Sequence, residues 1–377
     1  MTAEKPLHVL VTIGTRPEAV KLAPVVFALR AQPWATVRVL LTAQHRELLD
    51  QTLAFFGVTA DVDLDLMRPG QSLADLTGRM IPAVDEVLGR EAPDLVLAQG
   101  DTTTVMVTAL ACFYRKVAFG HVEAGLRTRR KYEPFPEEIN RALVARIADL
   151  HFAPTETARD NLRAEGIADE AIVVCGNTVI DALLWTASRV DPKPFQPAGD
   201  RRLVLVTSHR RENFGAPLEQ MCRALVDLVE ARDIEILYPV HPNPNVRAAV
   251  DRFLRGHPRI RLIEPLGYAE FVAAMKAAYL ILTDSGGVQE EAPSLGKPVL
   301  VLREQTERPE GVAAGTARLV GCDRERIVRE SLALLDDPEQ YRAMAHRRNP
   351  YGDGRAAEGI CAAIANWRRG QPIGAAR

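Results

Sequence analysis

The sequence repeats short, apolar, β-rich runs that are separated by segments with helical periodicity. Such runs include LHVLVTI at 7–13, PDLVLAQ at 93–99, RLVLVTS at 202–208 and YLILTD at 279–284. Between them, apolar residues recur three and four positions apart, for example in the segment 215–231. Continuous apolar strands that alternate with amphipathic helices are typical of parallel sheets with helices on both faces. The sequence therefore predicts an α/β, doubly wound fold.

Two domains are expected, because 377 residues exceed the usual size of one hydrophobic core. Prolines interrupt the alternation in VDPKPFQPAGDRR at 190–202, which indicates a linker. We predict a wound α/β domain at 1–175, joined by a C-terminal helix at 355–377, and a second wound α/β domain at 176–354. Ligands of open parallel sheets lie beyond the carboxyl ends of the strands, so the domains are expected to face each other across a binding cleft.

The composition describes a globular protein without a strong electrostatic preference. Hydrophobic residues make up 47% of the chain, charged residues make up 25%, and the net charge is −2. Neither nucleic acid nor an anionic membrane is therefore an expected partner. The five cysteines lack the paired spacing of metal ligands, which fits reduced thiols. The apolar run near the N-terminus is too short for a secretory signal, and we expect a cytoplasmic protein.

Polar residues are concentrated directly after the apolar runs. TDSGGVQEEAPSLGKP, at 283–298, places a Ser-Gly-Gly turn between a strand and a helix, an arrangement that binds phosphate through backbone N–H groups. GTRPE, at 14–18, has the same setting, and Arg16 can bind a diphosphate through two guanidinium nitrogens. The alternative is a simple helix cap in the first segment and a surface arginine in the second.

A highly charged segment, HVEAGLRTRRKYEPFPEEINR, occupies 121–141. Gly125, Pro134 and Pro136 prevent a regular helix in its front half, so we interpret it as a loop. Its carboxyl groups, beside a site for a nucleotide diphosphate, indicate proton transfer.

No metal or cofactor site is expected. The pattern GDGRAA at 352–357 resembles a dinucleotide fingerprint, but it follows RRNPY rather than a strand. The eight histidines are not spaced as zinc ligands.

Together, these segments resemble the non-hydrolysing UDP-N-acetylglucosamine 2-epimerases. The matching motifs, from about Leu7 to the last helix, are GTRPEAVKLAP, QGDTTT, GHVEAGLRT, PFPEEINR, GNTVIDAL, SHRREN, VHPNP and DSGGVQEEAPSLGKPVLVLRE. The resemblance implies a GT-B fold, with two Rossmann-like domains around a cleft, and a homodimer. It also implies reversible conversion of UDP-N-acetylglucosamine to UDP-N-acetylmannosamine, in which UDP is eliminated to leave 2-acetamidoglucal and is then added back.

The resemblance also assigns roles to individual residues. The implied catalytic residues are Asp101, Glu123, Glu137 and His209. The implied ligands of UDP are Arg16, Lys21, Phe271, Ser285, Gly286, Gly287, Glu291 and Arg308. Phe271 is expected against the uracil and Glu291 at the ribose hydroxyls, while the division of acid and base roles between the carboxyl groups stays open. The alternative role of Glu123 and Glu137 is ion pairing with Arg127 or Arg141.

Some bacterial members of this family bind a second UDP-N-acetylglucosamine as an activator. The matching positions in this sequence are Gln44, His45, Arg68, Arg210 and His241. Glu47 stands where activated members carry glutamine, which weakens the match.

Three other functions stay open. They are a GT-B glycosyltransferase, an epimerase of a related UDP-2-acetamido sugar, and a nucleotide-sugar sensor that has lost catalysis. The paired acids argue against the transferase, and the presence of Asp101, Glu123 and Glu137 argues against the sensor.

Overall fold

The computed structural model describes residues 5–42, 46–68, 70–371 and 373, with residues 46–48 and 211 described by their backbone alone. The described chain divides into two compact units. The first contains the residues up to Ala182 and those from Gly352 onward, and the second contains Leu183–Tyr351.

The first unit contains a parallel sheet. Its strands are β1 (Leu7–Ile13), β2 (Ala35–Leu41), β3 (Val62–Asp63), β4 (Leu95–Gln99), β5 (Ala118–Val122), β6 (Leu150–Ala153) and β7 (Ile172–Val174). The helices that follow these strands are α1 (Arg16–Arg30), α2 (Arg46–Phe56), α3 (Leu73–Glu91), α4 (Thr103–Arg115), α5 (Glu137–Ile147), α6 (Glu156–Ala164) and α7 (Thr178–Ala187). Among the described residues the strand order is β3-β2-β1-β4-β5-β6-β7.

The second unit repeats this plan. Its strands are β8 (Arg202–Thr207), β9 (Ile234–Pro239), β10 (Ile260–Ile263), β11 (Leu280–Thr283), β12 (Val299–Val301) and β13 (Ala317–Leu319). Its helices are α8 (Ala216–Ala231), α9 (Pro244–Leu254), α10 (Tyr268–Ala277), α11 (Gly286–Glu291), α12 (Pro309–Ala313), α13 (Arg324–Asp336) and α14 (Pro338–Ala345). The strand order in the described part of this unit is β10-β9-β8-β11-β12-β13.

The paired strands of both sheets run parallel. Helices cover both faces of such a sheet, so a central strand such as β4 is buried along its whole length and reads as a continuous apolar run. The predicted α/β fold with two wound parallel sheets is confirmed.

The chain passes between the units within α7, not in the Pro-rich segment. Residues 190–202 belong to the second unit. Phe195 packs against the core of that unit, and its carbonyl accepts a hydrogen bond of 2.8 Å from Arg261. The aromatic residue among the prolines therefore attaches this segment to a sheet. The predicted boundaries at 175 and 354 lie seven and three residues from the observed ones at Ala182 and Tyr351.

The last helix, α15 (Ala356–Arg368), belongs to the first unit and packs on α1. Asp181, in α7, is buried and accepts hydrogen bonds from the backbone N–H groups of Ala356 (3.1 Å) and Ala357 (2.8 Å). A carboxylate at a helix N-terminus satisfies N–H groups that have no partner inside the helix. Asp181 therefore caps a helix that lies far along the sequence.

The order of each sheet fixes where its polar turns meet. The direction of strand addition reverses between β1 and β4 in the first sheet and between β8 and β11 in the second. At such a switch point the turns that follow the two adjacent strands lie side by side and form the usual ligand site of an open α/β sheet.

Candidate active site

The switch point of the first unit brings together the turns after β1 and β4. Gly14 lies against the hydroxyls of Thr42 and Thr104, which leave no room for a Cβ atom. Thr15 begins α1 as its N-cap, and Glu18 completes a capping box. The Glu18 carboxylate also accepts a hydrogen bond of 2.6 Å from the Thr102 hydroxyl, in the turn after β4. Burial raises the pKa of Glu18 to about 7, although these hydrogen bonds oppose the increase.

Glu123 follows β5 directly, with a φ of 64°. Its side chain is 4% exposed and forms an ion pair of 2.5 Å with Lys21 of α1. Gln99 donates to the same oxygen, Oε2, and Asn177 donates to Oε1 at 3.4 Å. Three donors from different elements therefore fix this carboxylate at the end of the sheet. Lys21, predicted as a ligand of UDP, contacts a predicted catalytic acid.

Asp101 lies in the turn after β4 and faces α5. Its carboxylate pairs with Arg141 through contacts of 2.6 and 2.8 Å. Its carbonyl accepts a hydrogen bond of 2.8 Å from Asn140. The preceding carbonyl, of Gly100, contacts His121 Nε2 at 2.7 Å. A carbonyl only accepts, so Nε2 carries the proton of this imidazole.

The neighbours Glu137 and Glu138, at the start of α5, have different environments. Glu138 is buried and accepts hydrogen bonds from the backbone of Thr128 and Arg129. Burial raises the pKa of Glu138, but these bonds and the charge of Arg141 outweigh it and hold the pKa below its ordinary value. Glu137 Oε2 is also buried, yet it has no hydrogen-bond partner within the described part of the chain. Glu138 therefore holds the loop together, whereas Glu137 keeps an oxygen available.

The switch point of the second unit is organised by Asp284, which follows β11 and is fully buried. Its carboxylate accepts hydrogen bonds from the Ser208 hydroxyl (2.9 Å), the backbone N–H groups of His209 and Arg210 (both 2.9 Å) and the Asn213 amide (3.1 Å). The His209 Nδ1 atom lies 3.1 Å from Asp284 Oδ1. Burial raises the pKa of Asp284, but the contacts with His209 and the N–H of Arg210 have the larger effect and hold the pKa below its ordinary value.

Beside its contact with Asp284, the His209 side chain is 43% exposed.

The residues predicted to bind UDP in the second unit cluster around α11. Ser285 is its N-cap, and Gly286 and Gly287 form its first turn. Arg308 forms an ion pair with Glu290 of this helix. Glu291 accepts a hydrogen bond of 3.0 Å from the Tyr268 hydroxyl.

Two further predicted ligands of UDP belong to other helices. Phe271, on α10, is half-buried against the core of the second unit. Arg16, in the first unit, is exposed at the start of α1.

The predicted activator residues are placed only in part. Gln44 and His45 lie outside the described residues, as does the side chain of Glu47. His241 stacks on His209, with ring centroids 6.0 Å apart. Arg210 contacts Glu307 at 3.3 Å, and Arg68 is exposed in the first unit.

Several residues of the site were not predicted from the sequence. The hydrogen bond between Glu18 and Thr102 joins the two turns at the first switch point. Asp284 joins the two turns at the second switch point. Gln99 and Asn177 donate hydrogen bonds to Glu123. The spacing T-R-P-E already contained the signal for Glu18, because it is that of a capping box. The other contacts join segments that are distant in the sequence.

The described residues contain neither a candidate metal site nor a candidate membrane span. No group of three or more histidines, cysteines, aspartates and glutamates in this part of the chain is placed to hold a metal ion. No helix there is both long and apolar enough to cross a membrane.

Comparison with known proteins identifies the family. The model of the UDP-N-acetylglucosamine 2-epimerase family matches residues 27–365. A UDP-N-acetylglucosamine 2-epimerase of Escherichia coli K12 is 51% identical, covering 96% of this chain and 99% of the relative. One of Bacillus subtilis is 48% identical and covers 98% of both chains.

A solved structure gives the same result. The UDP-GlcNAc 2-epimerase of Neisseria meningitidis, bound to UDP-GlcNAc, is 44% identical and has a TM-score of 0.87. The match covers 95% of this chain and all of that one. This chain therefore belongs to the UDP-N-acetylglucosamine 2-epimerase family.

Proposed function

We propose that this protein interconverts UDP-N-acetylglucosamine and UDP-N-acetylmannosamine. Its family carries the name of this reaction, and its site offers carboxyl groups in two kinds of environment. Glu123 is held by three donors, whereas Glu137 has a buried oxygen without a partner in the described chain. This difference between the two glutamates is the observation that carries the mechanism, because inversion at C2 needs one group to remove a proton and another to deliver one.

The reaction proceeds in two stages. A carboxylate removes the proton from C2, the electron pair of the C–H bond forms a C1–C2 double bond, and the C1–O bond breaks with its electrons leaving on UDP. The intermediate is 2-acetamidoglucal. UDP then adds back to C1 while a carboxyl group delivers a proton to the opposite face of C2. Charge develops on the diphosphate during elimination, where Arg16, Arg308 and the N–H groups of Gly286 and Gly287 stabilise it.

Asp101 and His209 complete the site. Arg141 holds the Asp101 carboxylate, and Asp284 orients the imidazole of His209. Glu291 binds the ribose and Phe271 packs on the uracil. Lys21 binds UDP, and its ammonium also pairs with the Glu123 carboxylate.

The test is epimerisation of UDP-N-acetylglucosamine alone in D2O. The product should carry deuterium at C2, because a carboxyl group exchanges its proton with solvent much faster than the sugar turns over. A glycosyltransferase needs an acceptor and gives no epimer, and a sensor gives no product. An epimer that forms without deuterium at C2 contradicts the mechanism.

The neighbouring glutamates of α5 provide a matched pair of variants. Glu137→Gln removes the titrating group and should lower kcat by about 10²-fold or more at unchanged stability. Glu138→Gln should instead lower the free energy of unfolding, because a carboxylate that serves two backbone N–H groups and an arginine is lost. Equal kcat in the Glu137→Gln variant and the wild type would refute the role of Glu137.

The proposed assembly is a homodimer. Helices α4 and α5 pack on each other and expose Phe113, Tyr114, Ile139 and Leu143 to solvent in the isolated chain. Apolar side chains on adjacent helices are typical of a surface that another chain covers. Sedimentation should give a dimer that becomes monomeric on the double substitution Phe113→Lys and Leu143→Lys, and a monomeric wild type would refute this assembly.

A second molecule of UDP-N-acetylglucosamine is proposed as an activator. The stacking of His241 on His209 supports this, because it joins a residue of the activator set to a catalytic residue. The reaction from pure UDP-N-acetylmannosamine should then show a lag that added UDP-N-acetylglucosamine removes. A linear progress curve would exclude activation and would be consistent with the substitution at Glu47.

A further inference from the structure

Glu18 makes one more contact than helix capping requires. Its Oε2 atom accepts hydrogen bonds from the N–H groups of Gly14 and Thr15, which completes the capping box of α1. Its Oε1 atom accepts from the hydroxyl of Thr102, at the start of α4. The side chain is 2% exposed. A single buried carboxylate therefore joins the two turns that meet at the switch point of the first unit.

A second capping box in the same unit provides a comparison. Ser72 and Asp75 form it at the start of α3, where both residues are exposed and bond to each other. Asp75 has one methylene less than glutamate, and this length is sufficient to complete a box. The longer side chain of Glu18 is therefore needed for the contact with Thr102, not for the cap.

The contact with Thr102 fixes the segment that carries Asp101. Three consecutive residues of this segment are held from three different elements: Gly100 by His121 of β5, Asp101 by Asn140 of α5, and Thr102 by Glu18 of α1. The turn that precedes Arg16 donates two backbone hydrogen bonds to the other oxygen of Glu18, Oε2. A shift of either turn is thereby transmitted to the other.

We infer that Glu18 is a positioning residue, which sets the Asp101 segment against the turn of Arg16 through the hydroxyl of Thr102. The inference rests on the proposed function, in which Asp101 takes part in catalysis and Arg16 binds the diphosphate. Glu18 touches neither the sugar nor UDP in this scheme. A displacement of catalytic groups by about 1 Å costs on the order of 10²-fold in rate, so losing this contact should appear in kcat.

The test breaks this contact from each side. Glu18→Asp shortens the side chain by one methylene and keeps the cap of α1. Thr102→Val removes the hydroxyl at nearly constant volume, and with it the side-chain N-cap of α4. Each should lower kcat at least about tenfold while the Kd of UDP changes less than about threefold. The double variant should be no slower than the slower single variant, because both substitutions break the same contact. Thr102→Ser, which keeps the hydroxyl, should restore most of the activity.

Asp75→Asn is the matched control, since it alters the capping box of α3 and should leave kcat unchanged. A purely structural role of Glu18 predicts a lower melting temperature with wild-type kcat below that temperature, and this result would overturn the inference. Losses that multiply in the double variant would overturn it as well. A wild-type protein that forms no epimer would refute the proposed function itself, whereas an active wild type with a fully active Glu18→Asp variant refutes only the positioning role.

Discussion

The buried carboxyl group of Glu18 makes protein stability depend on pH in a defined direction. Burial raises its pKa from the ordinary 4.5 to about 7, against the hydrogen bonds from Thr102, Gly14 and Thr15, and the charge of Asp101 adds to the increase. Between these two values the folded protein binds more protons at this site than the unfolded chain does. The contribution of Glu18 to stability is therefore fully present below pH 4.5 and is lost as the pH rises through 7.

Glu18→Gln removes this dependence, because glutamine stays neutral. The displacement of the pKa corresponds to a linkage free energy of about 3 kcal/mol, most of which falls between pH 5 and pH 8. Relative to the wild type, the variant should therefore become more stable by roughly 2 to 3 kcal/mol between these pH values. The difference between the two proteins cancels the contributions of other buried groups that titrate in this range.

The measurement is urea denaturation of both proteins at pH 5, 6, 7 and 8, followed by circular dichroism and by tryptophan fluorescence. Agreement of the two probes and equal m-values justify the comparison of free energies. A difference between the proteins that stays within about 0.5 kcal/mol over this range would show that Glu18 ionises as a solvated carboxyl does, contrary to its burial and contacts.

Three further predictions concern single residues. Burial lowers the pKa of His151 to about 4. The folded state therefore favours the neutral imidazole, and the free energy of unfolding decreases as the pH falls below 6.5. His151→Asn should lose about 2 kcal/mol less than the wild type between pH 7 and pH 5 in urea denaturation, and equal losses would contradict this. Gly125 has a φ of 91° and lies against the carbonyl of Ala158, so Gly125→Ala should lower the free energy of unfolding by more than about 2 kcal/mol, and an unchanged urea midpoint would argue against strain there. Asp284→Asn places an NH2 donor among the N–H and O–H groups that donate to the carboxylate, which should lower the free energy of unfolding by about 2 kcal/mol or more and lower kcat. A variant with wild-type stability and activity would exclude Asp284 as the organiser of its loop.

The sequence predicted the central strands of both sheets but not two edge strands. Strands that are buried on both faces, such as β4 and β11, are continuous apolar runs and are recognisable without a structure. The edge strands β3 and β13 have only two and three residues. Such short strands depend on a neighbouring strand for their conformation, so their own residues carry almost no signal.

The candidate site shows the same division between local and distant information. The turns after β1, β4, β5 and β11 were identified because glycine, proline and charged residues follow apolar runs. The family resemblance singled out Glu137, but the neighbouring residues alone give no reason to prefer it to Glu138, because the difference depends on whether backbone N–H groups ten residues earlier reach the carboxylate. The sequence also did not reveal that Lys21 faces Glu123, 102 positions away.

The return of α15 to the first unit has a consequence for synthesis on the ribosome. The N-terminal part of that unit is made first, but the helix that packs on α1 and is capped by Asp181 follows the whole second unit in the chain. During translation the apolar surface of α1 therefore stays uncovered while about 170 residues of the second unit, Leu183–Tyr351, are added. The second unit is continuous in sequence and can fold before the first is complete, so the two units are expected to mature in the reverse of their order of synthesis.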